Sequence, residues 1–89
     1  MKYEELTGQI IKCFYTVYEK LGYGFLEKTY ERALMIEFKK AGLNFNNQYP
    51  INVYYDDENI GDFVADFLLV EKVIVEIKAV KYFQTFVLP

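Results

Sequence analysis

Two apolar rhythms meet at Gly42. Before it, Leu6, Ile10, Phe14, Val17, Tyr18 and Leu21 recur at steps of three and four, the spacing of a helix with one buried stripe. This predicts a helix from about Tyr3 to Leu21. Gly22 and Gly24 bracket Tyr23 and supply residues that tolerate positive φ, so a turn is expected there. Leu26, Tyr30, Ala33, Leu34, Phe38 and Ala41 then restart the helical spacing, predicting a second helix over about Leu26 to Ala41 with Gly42 as its stop. After Gly42 the period becomes two. Ile51, Val53 and Tyr55 alternate with Asn52 and Tyr54 after Pro50, and this predicts a strand preceded by extended chain from Asn44. Asp56-Asp57-Glu58-Asn59 reads as a polar turn, followed by strands over Phe63 to Val70 and Val73 to Val80. The expected architecture is α+β, with two N-terminal helices packed on a small three-stranded sheet, mixed or antiparallel. At 89 residues there is room for one domain, residues 1–89, with one core.

Composition narrows the chemistry. The apolar fraction of 53%, with nine Tyr and eight Phe, is ample for a packed core. There is no histidine, which removes Ser-His-Asp triads, histidine-rich zinc sites and nucleases with a histidine general base. Cys13 is the sole cysteine and falls in the apolar stripe of the first helix, so it reads as a buried, inert thiol. Any catalysis must rest on carboxylates, lysine, tyrosine or a metal held by oxygen. A formal charge of −3 and a pI near 4.9 argue against a generic basic nucleic-acid coat. The acidic start Met1-Lys2-Tyr3-Glu4-Glu5-Leu6 is unlike a signal peptide and no apolar run reaches membrane-spanning length, so a cytoplasmic location without membrane attachment is expected.

Three charges interrupt the two most apolar strands: Asp66 in the first, Glu76 and Lys78 in the second. An isolated charge in so apolar a strand is unusual. Asp66 and Glu76 lie ten residues apart, so in an antiparallel hairpin with a three- or five-residue turn centred on Glu71 they face each other. A two-residue turn at Glu71-Lys72 would pair Asp66 with Ile77 instead. Facing carboxylates repel unless a cation lies between them, and hard oxygen ligands favour Mg2+ or Mn2+. Lys78, on the same face as Glu76, is then placed to act on the attacking water or the scissile phosphate. The competing reading is a half-exposed strand with a solvated charge pair. In the second helix Glu27, Tyr30, Glu31 and Leu34 share one stripe. Glu27 suits the helix dipole, and it could also complete the acidic shell of the metal. Tyr30 reads as a core aromatic whose hydroxyl orients a neighbour, and Glu31 as an acid bordering the sheet-facing side.

Gly24-x-x-Glu27-x-x-Tyr30, followed by Asp66 and then Glu76-x-Lys78, resembles the GxxExxY family, a branch of the PD-(D/E)XK nuclease-like superfamily. The resemblance covers most of the chain. It implies a restriction-endonuclease-like core and a metal-dependent nuclease acting on DNA or RNA, with Asp66 and Glu76 as metal ligands, Lys78 as catalytic lysine and Glu27 as an accessory acid. The pattern departs after Lys78, where a helix with Gln and Tyr one turn apart and a further strand would follow; Gln84 is too isolated to match that glutamine. The expectation is therefore a shortened core with one sheet face and one edge uncovered, covered in turn by homodimerisation. Two rival functions stand beside the nuclease: a non-catalytic remnant or protein-interaction module that keeps the fold, and a small structural domain whose charges are merely solvated.

Overall fold

The computed structural model describes residues 2–77 and 83–87, with side chains described for residues 4–77. Helix α1 spans Lys2–Leu21 and α2 spans Glu27–Lys40. Strands β1 (Phe45–Tyr55), β2 (Glu58–Leu69), β3 (Val73–Ile77) and β4 (Phe83–Val87) follow. They form one antiparallel sheet in the order β1-β2-β3-β4.

The glycines act where the periodicity stops. Gly22, at φ 74°, ends α1 with its N–H on the Tyr18 carbonyl at 2.8 Å. Gly42, at φ 72°, donates to the Lys39 carbonyl at 3.1 Å while Leu43 donates to that of Phe38 at 2.9 Å. This paired arrangement is a Schellman closure, and it turns the chain from α2 into β1.

Both helices cover one face of the sheet. Ile10, Cys13, Phe14 and Val17 from α1 join Tyr30, Leu34 and Phe38 from α2, and they meet Phe67, Leu69, Val73, Val75 and Ile77 from the hairpin. The rings of Phe38, Phe45 and Phe67 tie α2 to the sheet, with centroids 5.1 to 5.8 Å apart in tilted and edge-on arrangements. Phe38 and Phe67 are both fully buried, so truncating either to Ala would cost about 3–5 kcal/mol, a large share of a small domain's stability. A smaller cluster of Ala65, Leu68 and Ile74, with Tyr49 and Ile51 against it, forms apart from the helix-side core.

The sheet differs from the sequence expectation in three ways. β1 and β2 are longer, because their distal halves form a solvated arm in which residues 52–64 are all exposed and so carry no burial pattern to read. Only Asp56 and Asp57 make the turn, with φ of 49° and 65°, the double left-handed geometry of a two-residue hairpin, and Glu58 pairs back to Tyr55. Ile60 is an extra residue between the Val53–Gly61 and Tyr54–Asn59 pairs. Second, β4 adds a fourth strand and covers the edge of β3, so among the described residues β1 and β4 are the outer strands. Third, β3 is described only to Ile77; the remainder of the expected strand, residues 78–80, lies outside the described residues. No helix among the described residues is long and apolar enough to cross a membrane.

Two outcomes follow. Val70 is a β-branched residue at φ 51°, a conformation that penalises its side chain, and that side chain is 45% exposed. Val70→Gly should therefore raise stability by about 1 kcal/mol, seen as a melting temperature some 4–8 °C higher in a thermal scan. Burial, and then the Glu37 carboxylate, push the Cys13 thiol above its ordinary value against a smaller opposing pull from Lys12. At pH 8 the folded protein should react with a disulfide reagent roughly tenfold or more slowly than the urea-unfolded chain.

Candidate functional site

Whether Asp66 and Glu76 meet depends on the parity of the β2–β3 turn. That turn holds three residues, Val70, Glu71 and Lys72, between the paired Leu69 and Val73. Val70 and Glu71 both take left-handed φ, and the Lys72 N–H closes onto the Leu69 carbonyl at 3.0 Å. The rungs run Leu69–Val73, Leu68–Ile74 and Phe67–Val75. The paired rungs stop there; carried one rung further, the register of this odd-length turn would set Asp66 against Glu76, and Asp66 meets β3 through the Ile77 N–H instead. On the other side of β3, Glu76 pairs with Gln84 of β4. That placement of Gln84 was not readable from a sequence segment that looked like an isolated tail.

The Asp66 carboxylate takes over the end of the ladder. Its Oδ2 accepts the backbone N–H of Ile77 at 2.6 Å, a short bond of the charge-assisted kind, which fixes the half-buried side chain against β3. Glu76 is half-buried between buried Val75 and Ile77. Lys78 lies outside the described residues. Among the described residues, no group of three His, Cys, Asp or Glu side chains is assembled as a metal cage.

On α2 the stripe resolves into three different situations. Glu27 is exposed in the first turn; Leu26 stands at the N-cap and makes no side-chain cap, so the carboxylate faces an uncapped positive helix end. Tyr30 is 2% exposed, and its hydroxyl donates to the Gly22 carbonyl at 2.7 Å while the Phe25 N–H points to it at 3.4 Å. The ring stacks on Tyr18 with centroids 5.2 Å apart and meets the edge of Phe25 at 6.2 Å. The hydroxyl thus orients the glycine turn between the helices. Burial, then the neighbouring Tyr30 and Tyr23, push the Tyr18 phenol above its ordinary value.

Glu31 is the buried acid among the described residues, 5% exposed. Asn47 Nδ2 donates to its Oε2 at 3.3 Å, and Gln48 Nε2 donates to Oε1 at 3.1 Å and Oε2 at 3.2 Å. A buried carboxyl with amide donors on both oxygens is satisfied and held in one orientation. Sequence periodicity flagged Glu31 but not its partners, because neighbouring residues of a regular strand point to opposite faces.

Two helices on one face of an antiparallel sheet, with Asp66 of β2 bonded to the β3 backbone at Ile77, make a small α+β domain. The family model of the PD-(D/E)XK nuclease superfamily matches residues 4–86, and the chain belongs to that superfamily. No curated protein and no solved structure matches it. Nucleases of this superfamily generally depend on a divalent metal.

Tyr30→Phe removes a bond donated to Gly22 and an acceptor for Phe25 without changing the packing volume. It should cost about 1 kcal/mol and lower the melting temperature by roughly 4–8 °C in a calorimetric scan.

Proposed function

We propose that this protein is a Mg2+- or Mn2+-dependent nuclease of the GxxExxY type, hydrolysing phosphodiester bonds of DNA or RNA. The observation that supports the reading is the odd-length β2–β3 turn together with the Asp66–Ile77 bond, which ties the Asp66 carboxylate to β3 at the residue after Glu76. Asp66 and Glu76 are the metal ligands in this reading, and the bond from Ile77 leaves the second oxygen of Asp66 for the ion. The donor set is hard oxygen alone, which suits these ions. Mg2+ is commonly held by one or two carboxylates together with substrate phosphate, so a third protein carboxylate is not required. When bound, such an ion supplies Lewis acidity at the scissile phosphoryl group.

The chain's own residues do the rest. Lys78 acts as the lysine of the Glu76-Ile77-Lys78 motif, offering its ammonium to the phosphate or to the attacking water. Glu31 is the helix-borne accessory acid: it is buried toward the sheet, whereas the exposed Glu27 serves the helix dipole. Tyr30 contributes by holding the turn that starts α2.

A second reading, a protein-interaction module on a nuclease-like scaffold, is favoured by the arm. Tyr54, Tyr55, Ile60, Phe63 and Val64 are large apolar side chains exposed there, and self-association through such a surface is the oligomeric form this reading takes.

Incubation of the protein with plasmid, single-stranded DNA and RNA in Mg2+ or Mn2+ should give cleavage that EDTA abolishes. Glu76→Gln and Lys78→Ala should each slow it by about 10²-fold or more, the scale of losing one electrostatic contributor, with the circular-dichroism spectrum unchanged. Cleavage at the wild-type rate in either variant would sink this assignment of the site. A folded wild-type protein with neither cleavage nor metal binding would overturn the nuclease reading.

A further inference from the structure

Adjacent residues of one strand reach the same carboxyl group. Asn47 and Gln48 both donate to Glu31, which a regular strand forbids because its side chains alternate between faces. The alternation breaks at Gln48, whose φ of 52° is left-handed, a conformation few residues other than glycine, Asn and Asp adopt. The facing strand breaks at the matching position. Phe67 pairs with Asn47 and Ala65 with Tyr49, but the rung between them, Gln48 with Asp66, is absent. The change of face is visible in the packing: Phe67 belongs to the helix-side core, whereas Ala65 joins the cluster of Leu68 and Ile74. Released from the β1 ladder, Asp66 turns its carboxylate to β3 and takes the Ile77 N–H.

We propose that Gln48 is a positioning residue for the site. Its left-handed backbone frees Asp66 from β1, and its amide holds the carboxyl of Glu31 from α2 at the same corner of the sheet. This rests on the metal-dependent reading of Asp66 and Glu76 and deepens it by adding a residue that touches neither metal nor substrate. Backbone strain of this sort persists only where surrounding bonds over-determine it, and here the bonds to Glu31 do so. Outer partners of this kind govern metal affinity by orienting the ligands, not by touching the ion.

Two substitutions separate the two roles. Gln48→Gly keeps the left-handed backbone and removes the amide; Gln48→Val opposes the backbone conformation itself. Mn2+ affinity, read by the electron paramagnetic resonance of free Mn2+, and hydrogen exchange of the Ile77 amide, read by NMR, are measured on the full chain. Gln48→Gly should leave Ile77 protected and weaken Mn2+ binding about ten- to a hundredfold. Gln48→Val should expose the Ile77 amide to exchange as well. Glu31→Gln should weaken Mn2+ binding at least as much as Gln48→Gly, because it also disturbs the bond from Asn47, and the double variant should lose no more than Glu31→Gln alone. Full Mn2+ affinity in Gln48→Gly, or additive losses in the double variant, would overturn the proposal. If the wild-type protein binds no Mn2+, the metal reading fails by itself; the backbone role of Gln48 then stands or falls on whether Gln48→Val releases the Ile77 amide. Should Gln48→Val fail to fold, the Gln48→Gly affinity and the double variant decide.

Discussion

A β-strand side chain changes face with every residue, so a slip of one position between β2 and β3 would exchange the core for the surface. The three-residue turn at Val70-Glu71-Lys72 prevents that slip, at the cost of two residues with left-handed backbone. With the register it sets, Phe67, Leu69, Val73, Val75 and Ile77 present one apolar surface to the helices. Past the last paired rung, the same turn leaves Asp66 close enough to β3 to bond the Ile77 N–H next to Glu76. Core and candidate site are therefore products of one constraint, and a turn of even length would have disrupted both.

The helices depend on that surface in turn. α2 has no side-chain N-cap, and α1 ends directly in a two-glycine turn, so neither is held chiefly by its own ends. What holds them is the aromatic contact of Phe38 with Phe45 and Phe67, together with the Tyr18 and Tyr30 rings that close the space between α1 and α2. Tyr30 belongs to both systems, since its ring lies in the core while its hydroxyl bonds the turn at Gly22. The motif Gly24-x-x-Glu27-x-x-Tyr30 thus has a structural meaning before any chemical one.

How much of this was legible in the sequence follows from where burial leaves a pattern. The helices were legible to within a residue or so at each end, because the stripe from Leu6 to Leu21 and that from Leu26 to Ala41 both end at glycine. An odd-length β2–β3 turn was legible as the condition for Asp66 to meet Glu76, and the turn is odd, with its paired rungs ending at Phe67–Val75. The outer halves of β1 and β2 were not, since a strand solvated on both faces shows no clear burial alternation, and Glu58 read as a turn residue and Asp62 fell before the expected strand while both lie in the ladder. β4 was missed because Phe83 to Val87 read as a tail with nothing to pair with, although its partner β3 was already in view. The corner at Gln48 was hidden for a deeper reason. Alternation is the rule by which a strand is read, and the corner exists by breaking it.

The arm gives the molecule an electrical polarity. Residues 41–71 contain no Lys or Arg, while Asp56, Asp57, Glu58 and Asp62 crowd its tip, so all ten basic residues lie elsewhere in the chain. The field around the protein is therefore lopsided in spite of a modest net charge of −3. On α2 the cations Lys28, Arg32, Lys39 and Lys40 are interleaved with Glu27, Glu31 and Glu37, and Lys40 pairs with Glu37 at 3.5 Å, so the arm's tip is the most one-sided charge on the chain. Repulsion at one end can orient an encounter as effectively as attraction at the other, and a chain acidic overall need not be basic to present one preferred side to a nucleic acid.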